Sequence, residues 1–359
     1  LTLQLEGNEV KDLTPLKNLT KLRLLSLIRN QVSDISALSN LTDLRTLWIE
    51  FNKVKDVTPL AELTKLTTLY LDDNEITDIS CLSKLTNLQA FGIDNNEIEN
   101  IDVISNFKNL TWLFICNIGI SDISFVRDLT KIEWLHVSGN EITNFSPILS
   151  LENLTRLDIS NTGISDISFL KSFTNLESLS IWGNEVEDID VISNFSELTE
   201  LDASGNKISD ISALVNLTNL KILWLYNNEI TDISALGNLN NLTELDLYNN
   251  RIRDFSPIEG KNIANLRISN QRVYDLSEAE VLLSATSYNY DGKEKEPDVT
   301  VSVGYVKLEK DVDYTISYEN NKNIGTAKVI VKGIGSNIGT IEKEFVIAVP
   351  KGESFSSGN

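Results

Sequence analysis

Cys116, His136 and Asp158 put a thiol, an imidazole and a carboxylate at spacings of 20 and 22 residues, the set of groups that nucleophilic catalysis uses. His136 is the single histidine of the 359-residue chain. A second set is acidic: Glu50, Asp72 and Asp94 recur every 22 residues, with Asp73 and Asn95 beside two of them. Like charges stacked at that interval need a counterion or free access to water. A third set is aromatic: Trp48, Trp112, Trp134, Trp182 and Trp224, every tryptophan in the chain, with Tyr70, Phe114, Tyr226 and Tyr248 at related positions. Such rings anchor protein interfaces and stack on sugars. Which of these chemistries is open depends on the scaffold that holds the three sets.

That scaffold is periodic. Leu25, Leu47, Leu69, Phe91, Leu113, Leu135, Leu157, Leu179, Leu201, Leu223 and Leu245 follow one another at an unbroken spacing of 22, which is the signature of a solenoid. Two residues after each comes a second apolar position, from Leu27 to Leu247, so each unit holds a short strand with these two side chains turned inward. Three residues further on an Asn recurs at 30, 52, 74, 96, 140, 184, 206, 228 and 250, where the chain must turn; its amide can bond the backbones of neighbouring coils. Asn117-Ile118-Gly119 and Asn161-Thr162-Gly163 break this ladder, with the Asn one place early and a Gly to relieve the altered turn. Beyond the turn, Ser33-Asp34-Ile35-Ser36-Ala37-Leu38 and its echoes at Thr77-Asp78 and Ser209-Asp210 predict an Asp-capped turn of 3₁₀ or short α-helix. Thirteen units can be counted, from Leu3-Leu5 to Leu266-Ile268.

The pattern Leu-x-x-Leu-x-Leu-x-x-Asn-x-Ile-x-Asp-Ile-x-x-Leu resembles the leucine-rich repeat, and its 22-residue length resembles the internalin type of Gram-positive cell surfaces. The resemblance covers about three quarters of the chain. It implies an α/β solenoid whose parallel strands line a concave face and whose 3₁₀ or short helical segments form the convex side. It also implies a secreted or surface-attached recognition protein, since some internalins bind host cell-surface receptors.

The repeats with their C-terminal edge are assigned to residues 1–284, and a β-rich text with Gly turns to residues 285–349. Val299–Val303, Tyr314–Tyr318, Ala327–Val331 and Glu344–Ile347 read as strands of a small β-sandwich. Tyr290-Asp291-Gly292-Lys293, Asp313-Tyr314-Thr315 and Asn320-Asn321-Lys322-Asn323-Ile324-Gly325-Thr326-Ala327 resemble the immunoglobulin-like repeats of bacterial surface proteins, which implies a domain that caps the solenoid and spaces it from an anchor. Residues 350–359 have linker composition. The chain opens inside a repeat, without a polar capping unit, signal peptide or long apolar run, so a fragment of a longer extracellular or cell-surface protein is expected, with no membrane insertion of its own.

Charge narrows the partners. The repeats carry 22 basic and 41 acidic residues, residues 285–359 carry 9 and 11, and the net charge is −21. Nucleic acid and anionic membrane are repelled, while neutral or basic surfaces are favoured. Cys81 and Cys116 fall on opposite sides of the repeat and are not expected to pair. Six Asn-Leu-Thr triplets, at Asn18, Asn40, Asn109, Asn153, Asn216 and Asn241, follow from the repeat itself. There is no phosphate loop, no His–Cys zinc spacing and no basic nucleic-acid patch, and neither a metal site nor a cofactor is expected.

Each unit exposes three positions around its two core residues. Stacked by repeat, these columns bring together Trp112, Phe114, Trp134 and His136 with Trp182 two repeats on; then Trp224, Tyr226 and Tyr248; then Trp48 with Tyr70. Aromatics with few rotatable bonds among Asp and Ser match the anchor-and-rim composition of a protein-binding surface. The plain alternative is that they pack on one another and stiffen the sheet. Glu50, Asp72 and Asp94 read as a solvated acidic margin lending polar specificity, with a basic partner or a Ca²⁺ held by their oxygens as alternatives. The Cys116–His136–Asp158 set lies on an open sheet with no oxyanion donors, which argues against an enzyme; His136 reads as an aromatic neighbour bonded to Asp158. The resulting expectation is a protein partner on Trp48, Tyr70, Trp112, Phe114, Trp134, His136, Asp158, Trp182, Trp224, Tyr226 and Tyr248. Carbohydrate binding on the same rings, or a passive envelope spacer, are the competing readings.

Overall fold

The computed structural model describes residues 1–304 and 306–349; the linker assigned to 350–359 lies outside the described residues. Thirteen strands of three residues each, from Thr2–Gln4 to Asn265–Arg267, form one parallel sheet in strict sequence order. Every strand pairs with its successor at a shift of one repeat, as in Leu113 with Leu135 and Leu135 with Leu157. The last step, Leu245 with Leu266, is shorter by one residue. Helical segments among the described residues are all 3₁₀, of three to five residues.

Burial explains the leucine rhythm. Leu25, Leu47, Leu69, Phe91, Leu113 and Leu135, with Leu27, Ile49, Leu71, Ile93, Ile115 and Val137, are fully buried, as are Leu38, Leu60, Leu82 and Ile104 from the 3₁₀ side. A three-residue strand cannot enclose a core of its own, so each coil buries its apolar residues against the next. The Asp or Asn two residues before a 3₁₀ segment takes the first free N–H of that segment: Asp34 accepts from Ser36 and Asp78 from Ser80, both at 2.8 Å, and Asn144 from Ser146 at 2.9 Å.

The Asn ladder carries the turns. Asn140 donates to Ile115 O (2.8 Å) in the preceding coil and to Val137 O (2.9 Å) in its own, while its Oδ1 accepts from Ile118 and Ile120. Asn96, Asn184, Asn206 and Asn228 repeat the scheme. At Ile118 and Thr162 the ladder side chain is gone. Asn117 and Asn161 belong instead to the preceding position, which has positive φ in every coil and is filled by Arg29, Phe51, Asp73 and Asn95 earlier in the chain. Gly119 and Gly163, at φ +77° and +75°, meet the altered turn that follows. The N–H groups of Ile98 and Ile142, which an Asn at 118 or 162 would have reached, therefore lose the side-chain acceptor that Ile76, Ile120 and Ile164 have.

Contacts divide the chain into two compact units. The first holds Leu1–Glu229, Ile233–Tyr248 and Ser256–Ser269; the second holds Ile230–Asp232, Asn249–Phe255 and the chain from Asn270 on. Residues 270–272 still bond the last coil, but residues 276–284, assigned to the repeats on sequence, pair elsewhere. The strand Glu280–Leu283 runs antiparallel to Val299–Val303, because Val281 and, just before it, Leu276 and Ala279 are apolar at positions that fit the second core rather than the leucine rhythm. In this unit a three-stranded sheet and a four-stranded sheet bury a common cluster of Leu276, Val281, Val301, Ala327, Val329, Val331, Phe345 and Ile347. The strands Tyr314–Glu319, Gly325–Gly333 and Thr340–Ala348 contain the segments expected from sequence. Within the same unit Arg251 reaches Asp313 at 3.2 Å, and Asp313 also accepts from Asn337 and from the Glu309 N–H.

Replacing Asn140, which is 1% exposed, with Ala removes the partners of several buried backbone groups at once. Urea unfolding should show a loss of about 2–4 kcal/mol, and the Ile118 and Ile120 amides should exchange faster. Asn8→Ala, at an exposed position, should cost under about 1 kcal/mol.

Candidate functional site

The parallel sheet places three columns of side chains on the face turned from the core, because residues on either side of a buried Leu in a strand point away from it. In the strands Trp112–Phe114 and Trp134–His136 the register sets Trp112 beside Trp134 and Phe114 beside His136. Their rings meet edge to face. Phe114 and Trp134 lie 4.8 Å apart at 86°, Trp112 and Trp134 6.0 Å apart at 68°, and Phe114 and His136 6.2 Å apart at 82°. These are the arrangements that ring quadrupoles favour. The central cluster read from the sequence is therefore present as a packed group, with Trp134 and Phe114 half-buried in it and Trp112 left 43% exposed at its edge. Arg156 lies 5.2 Å from the Trp134 ring, a cation–π contact on its far side.

Trp48 and Tyr70 are register partners in neighbouring strands, as expected, and the Tyr70 ring also joins the central cluster. It lies 6.0 Å from the ring of Phe114, two coils away. Gly92 makes this possible: a Cβ there would stand 2.8 Å from both Tyr70 Cδ1 and Asp72 Oδ1, so the missing side chain leaves the space the tyrosine occupies. The signal was in the sequence as a lone Gly in an otherwise side-chain-bearing column. Trp48 is half-buried, and its indole N–H is buried without a hydrogen-bond partner.

Trp182, Tyr226 and Tyr248 lie two residues past the ends of their strands, at the start of the turn, and not within the strands. Trp182 is 38% exposed. Trp224 gives its indole N–H to Glu244 Oε1 at 2.9 Å, and the Arg267 guanidinium sits 3.8 Å from the Tyr248 ring. Trp112 and Trp182 are thus the exposed tryptophans, and Trp48, Trp134 and Trp224 are held in the sheet. Between Trp134 and Trp224 a depression of about 370 Å³ is lined by Arg156, Asp158, Ser180, Glu200 and Asp202.

The acidic column is not a solvated margin. Asp72 and Asp94 are half-buried, and each accepts a backbone N–H from the next coil: Asp94 N to Asp72 Oδ1 at 2.7 Å, and Cys116 N to Asp94 Oδ1 at 2.6 Å. Glu50 Oε2 is buried without a partner. Burial, reinforced by the neighbouring Asp94 and Glu50 charges, pushes the Asp72 carboxyl up to about 8, and burial brings Glu50 to about 7. Asp94 is also raised, by burial first.

Of the Cys116–His136–Asp158 set, His136 Nε2 lies 2.8 Å from Asp158 Oδ2 and 3.0 Å from Ser138 Oγ. Burial disfavours the imidazolium, but the bond to Asp158 and the charges of Asp158, Asp94 and Asp72 outweigh it, so His136 is raised. Asp158 is lowered although burial opposes this, because His136 and Ser160 bond to it. Cys116 is 4% exposed, and burial together with Asp94 pushes its thiol far up. A buried neutral thiol is a poor nucleophile.

The stored charge has a measurable sign. A carboxyl raised in the folded state contributes stability at low pH that is lost as pH rises through its folded value, here about 8 for Asp72. Asp72→Asn keeps the acceptor for Asp94 N–H and removes the buried charge. It should stabilise the fold by on the order of 1–2 kcal/mol at pH 9 and by little at pH 5, read by thermal melting at the two values.

Among known families, the two-copy model of leucine-rich repeats matches residues 20–62, 64–106, 130–172, 152–194, 196–238 and 218–260, leaving unmatched the stretch 107–129 that holds Cys116 and Ile118. No curated protein matches the chain. Among solved structures, an internalin (inlF) from Listeria monocytogenes is 32% identical at TM-score 0.67, over 75% of this chain and 87% of that one. A leucine-rich-repeat protein of Leptospira interrogans is 22% identical at TM-score 0.58, over 73% and 76%. The functional domain of InlJ from Listeria monocytogenes is 19% identical at TM-score 0.50, over 96% and 90%. The last two share the fold.

Proposed function

Because the chain belongs to the leucine-rich-repeat family, we propose that it is a recognition protein whose sheet face, around the Trp112–Trp134–Phe114 cluster, docks a protein partner. The observation that carries this reading is the division of labour among the aromatics. Phe114 packs edge to face on Trp134 and takes the tilted Tyr70 ring on another side, while Trp112 and Trp182 keep 43% and 38% of their surface exposed. Rings held rigid by their neighbours lose little entropy on binding, and exposed indoles gain the most from being covered. Packing alone would account for the held rings and for one side of Trp112, and would leave the outer surfaces of Trp112 and Trp182 uncovered.

Glu50, Asp72 and Asp94 border the cluster and supply polar specificity through hydrogen bonds, while the net charge of −21 favours a basic or neutral surface. The work is binding, with no catalytic step: the thiol of Cys116 is buried and neutral, and the face offers no preorganised oxyanion donors. An extracellular or cell-surface setting, with the second unit as an immunoglobulin-like spacer, follows from the resemblance to internalins; no helix among the described residues is long and apolar enough to cross a membrane.

Carbohydrate is the second reading, favoured by one feature: the depression between Trp134 and Trp224 has indoles at its ends and Asp158 and Asp202 between them, the layout of a sugar subsite. The two readings separate on different tryptophans. Wild-type protein and the Trp112→Ala, Trp182→Ala double variant should differ in capturing a protein from extracellular extracts, the variant losing at least about 10-fold in affinity at an unchanged melting temperature. A glycan-array signal abolished by Trp224→Ala and kept by the double variant would assign the face to sugar, and equal behaviour of all three proteins would leave it a spacer.

A further inference from the structure

A cluster unlike the rest of the face sits at the strand ends of three consecutive coils. One carboxylate oxygen of Asp94, Sγ of Cys116 and a ring nitrogen of His136 all lie within 4.8 Å of one another. A tetrahedral zinc site with bonds of about 2.0–2.3 Å sets its donors about 3.5 Å apart, so a side-chain adjustment of about 1 Å would close this one. Thiolate, imidazole and carboxylate are the three donor classes that zinc accepts, whereas calcium takes oxygen alone.

Three further observations point the same way. First, the site is rich in carboxyl oxygen and poor in competing cations: Asp94 and Asp72 are half-buried, and among the described residues neither pairs with a Lys or Arg. Second, Asp158 already holds His136 through Nε2 at 2.8 Å, which assigns metal binding to Nδ1. Metal-bound imidazoles give their other N–H to a carboxylate in this way. Third, the coil that contributes Cys116 is the one whose ladder Asn is replaced by Ile118, so the Ile98 N–H lacks its side-chain acceptor there. An ion held by Asp94, Cys116 and His136 would join the same three coils across that gap.

We propose that Asp94, Cys116 and His136 form a binding site for a zinc-class divalent ion, with Asp158 as the residue that positions His136, and that the ion staples three coils where the Asn ladder is interrupted. This inference does not depend on what the aromatic face binds. Solvent reaches the site through the half-buried Asp94 and His136, while Cys116 lies beneath. Binding must expel the thiol proton, because the metal ligand is the thiolate.

The test uses the purified full chain with Zn²⁺ by calorimetry and with Co²⁺ by absorption. The expected result is one ion per chain, release of at least one proton at neutral pH, a sulfur-to-cobalt charge-transfer band and a melting temperature that rises with added Zn²⁺. Cys116→Ser should abolish the band, His136→Ala should weaken Zn²⁺ binding at least about 10-fold, and Asp158→Asn about 10–100-fold. Cys81→Ser, remote in the fold on a 3₁₀ segment, should change none of these. No saturable binding by the wild type would overturn the proposal. So would a charge-transfer band that survives in Cys116→Ser or disappears in Cys81→Ser. Because substitution at the buried Cys116 can disturb folding, the exposed-side variants at His136 and Asp158 provide the independent measure.

Discussion

Everything in the repeat unit depends on one constraint: a strand of three residues cannot satisfy its own backbone or enclose its own core. Each coil must hand its N–H and C=O groups to the next, and the amide of Asn140 and its counterparts completes the exchange at the turn, where sheet bonds stop. Because those bonds admit a single offset, side chains are delivered to the open face at fixed places in a grid. The strands are too short to slip, and a one-residue slip would turn every leucine outward.

Such a grid converts sequence into position with little loss, which is why the thirteen-stranded sheet, the buried columns and the neighbours Trp112, Trp134, Phe114 and His136 could all be read by counting. It does not say how a side chain leans once placed. Tyr70 stands beside Trp48 in register, yet its ring also crosses the vacancy at Gly92 to meet Phe114 two coils on, which column position alone does not report. Nor does counting report depth: Asp72 and Asp94 share a column with exposed residues yet are half-buried and bonded across coils, and that shifts their protonation. At the C-terminal end, the rhythm fades gradually through Val273 to Leu276, and apolar residues there serve the second core.

Asp94, Cys116 and His136 show the deeper reason some chemistry stays hidden. Familiar metal motifs place ligands two to five residues apart because one turn or helix presents them together. A solenoid presents together residues that are a full coil apart, so its local motifs run across the chain and not along it. The same holds for the aromatic cluster, whose members Tyr70, Trp112, Phe114, Trp134 and His136 come from three coils.

The two ladder breaks at Ile118 and Thr162 have a consequence for how the array comes apart. In a one-dimensional stack, cooperativity is carried by the junction between neighbours, and a junction with fewer cross-coil bonds marks where one folding block ends and the next begins. Two seams two coils apart divide the array into N-terminal and C-terminal blocks of similar length and a short middle block carrying Trp134 and His136. The segment with the richest surface chemistry is then also the one best able to loosen on its own, while the coils on either side stay closed.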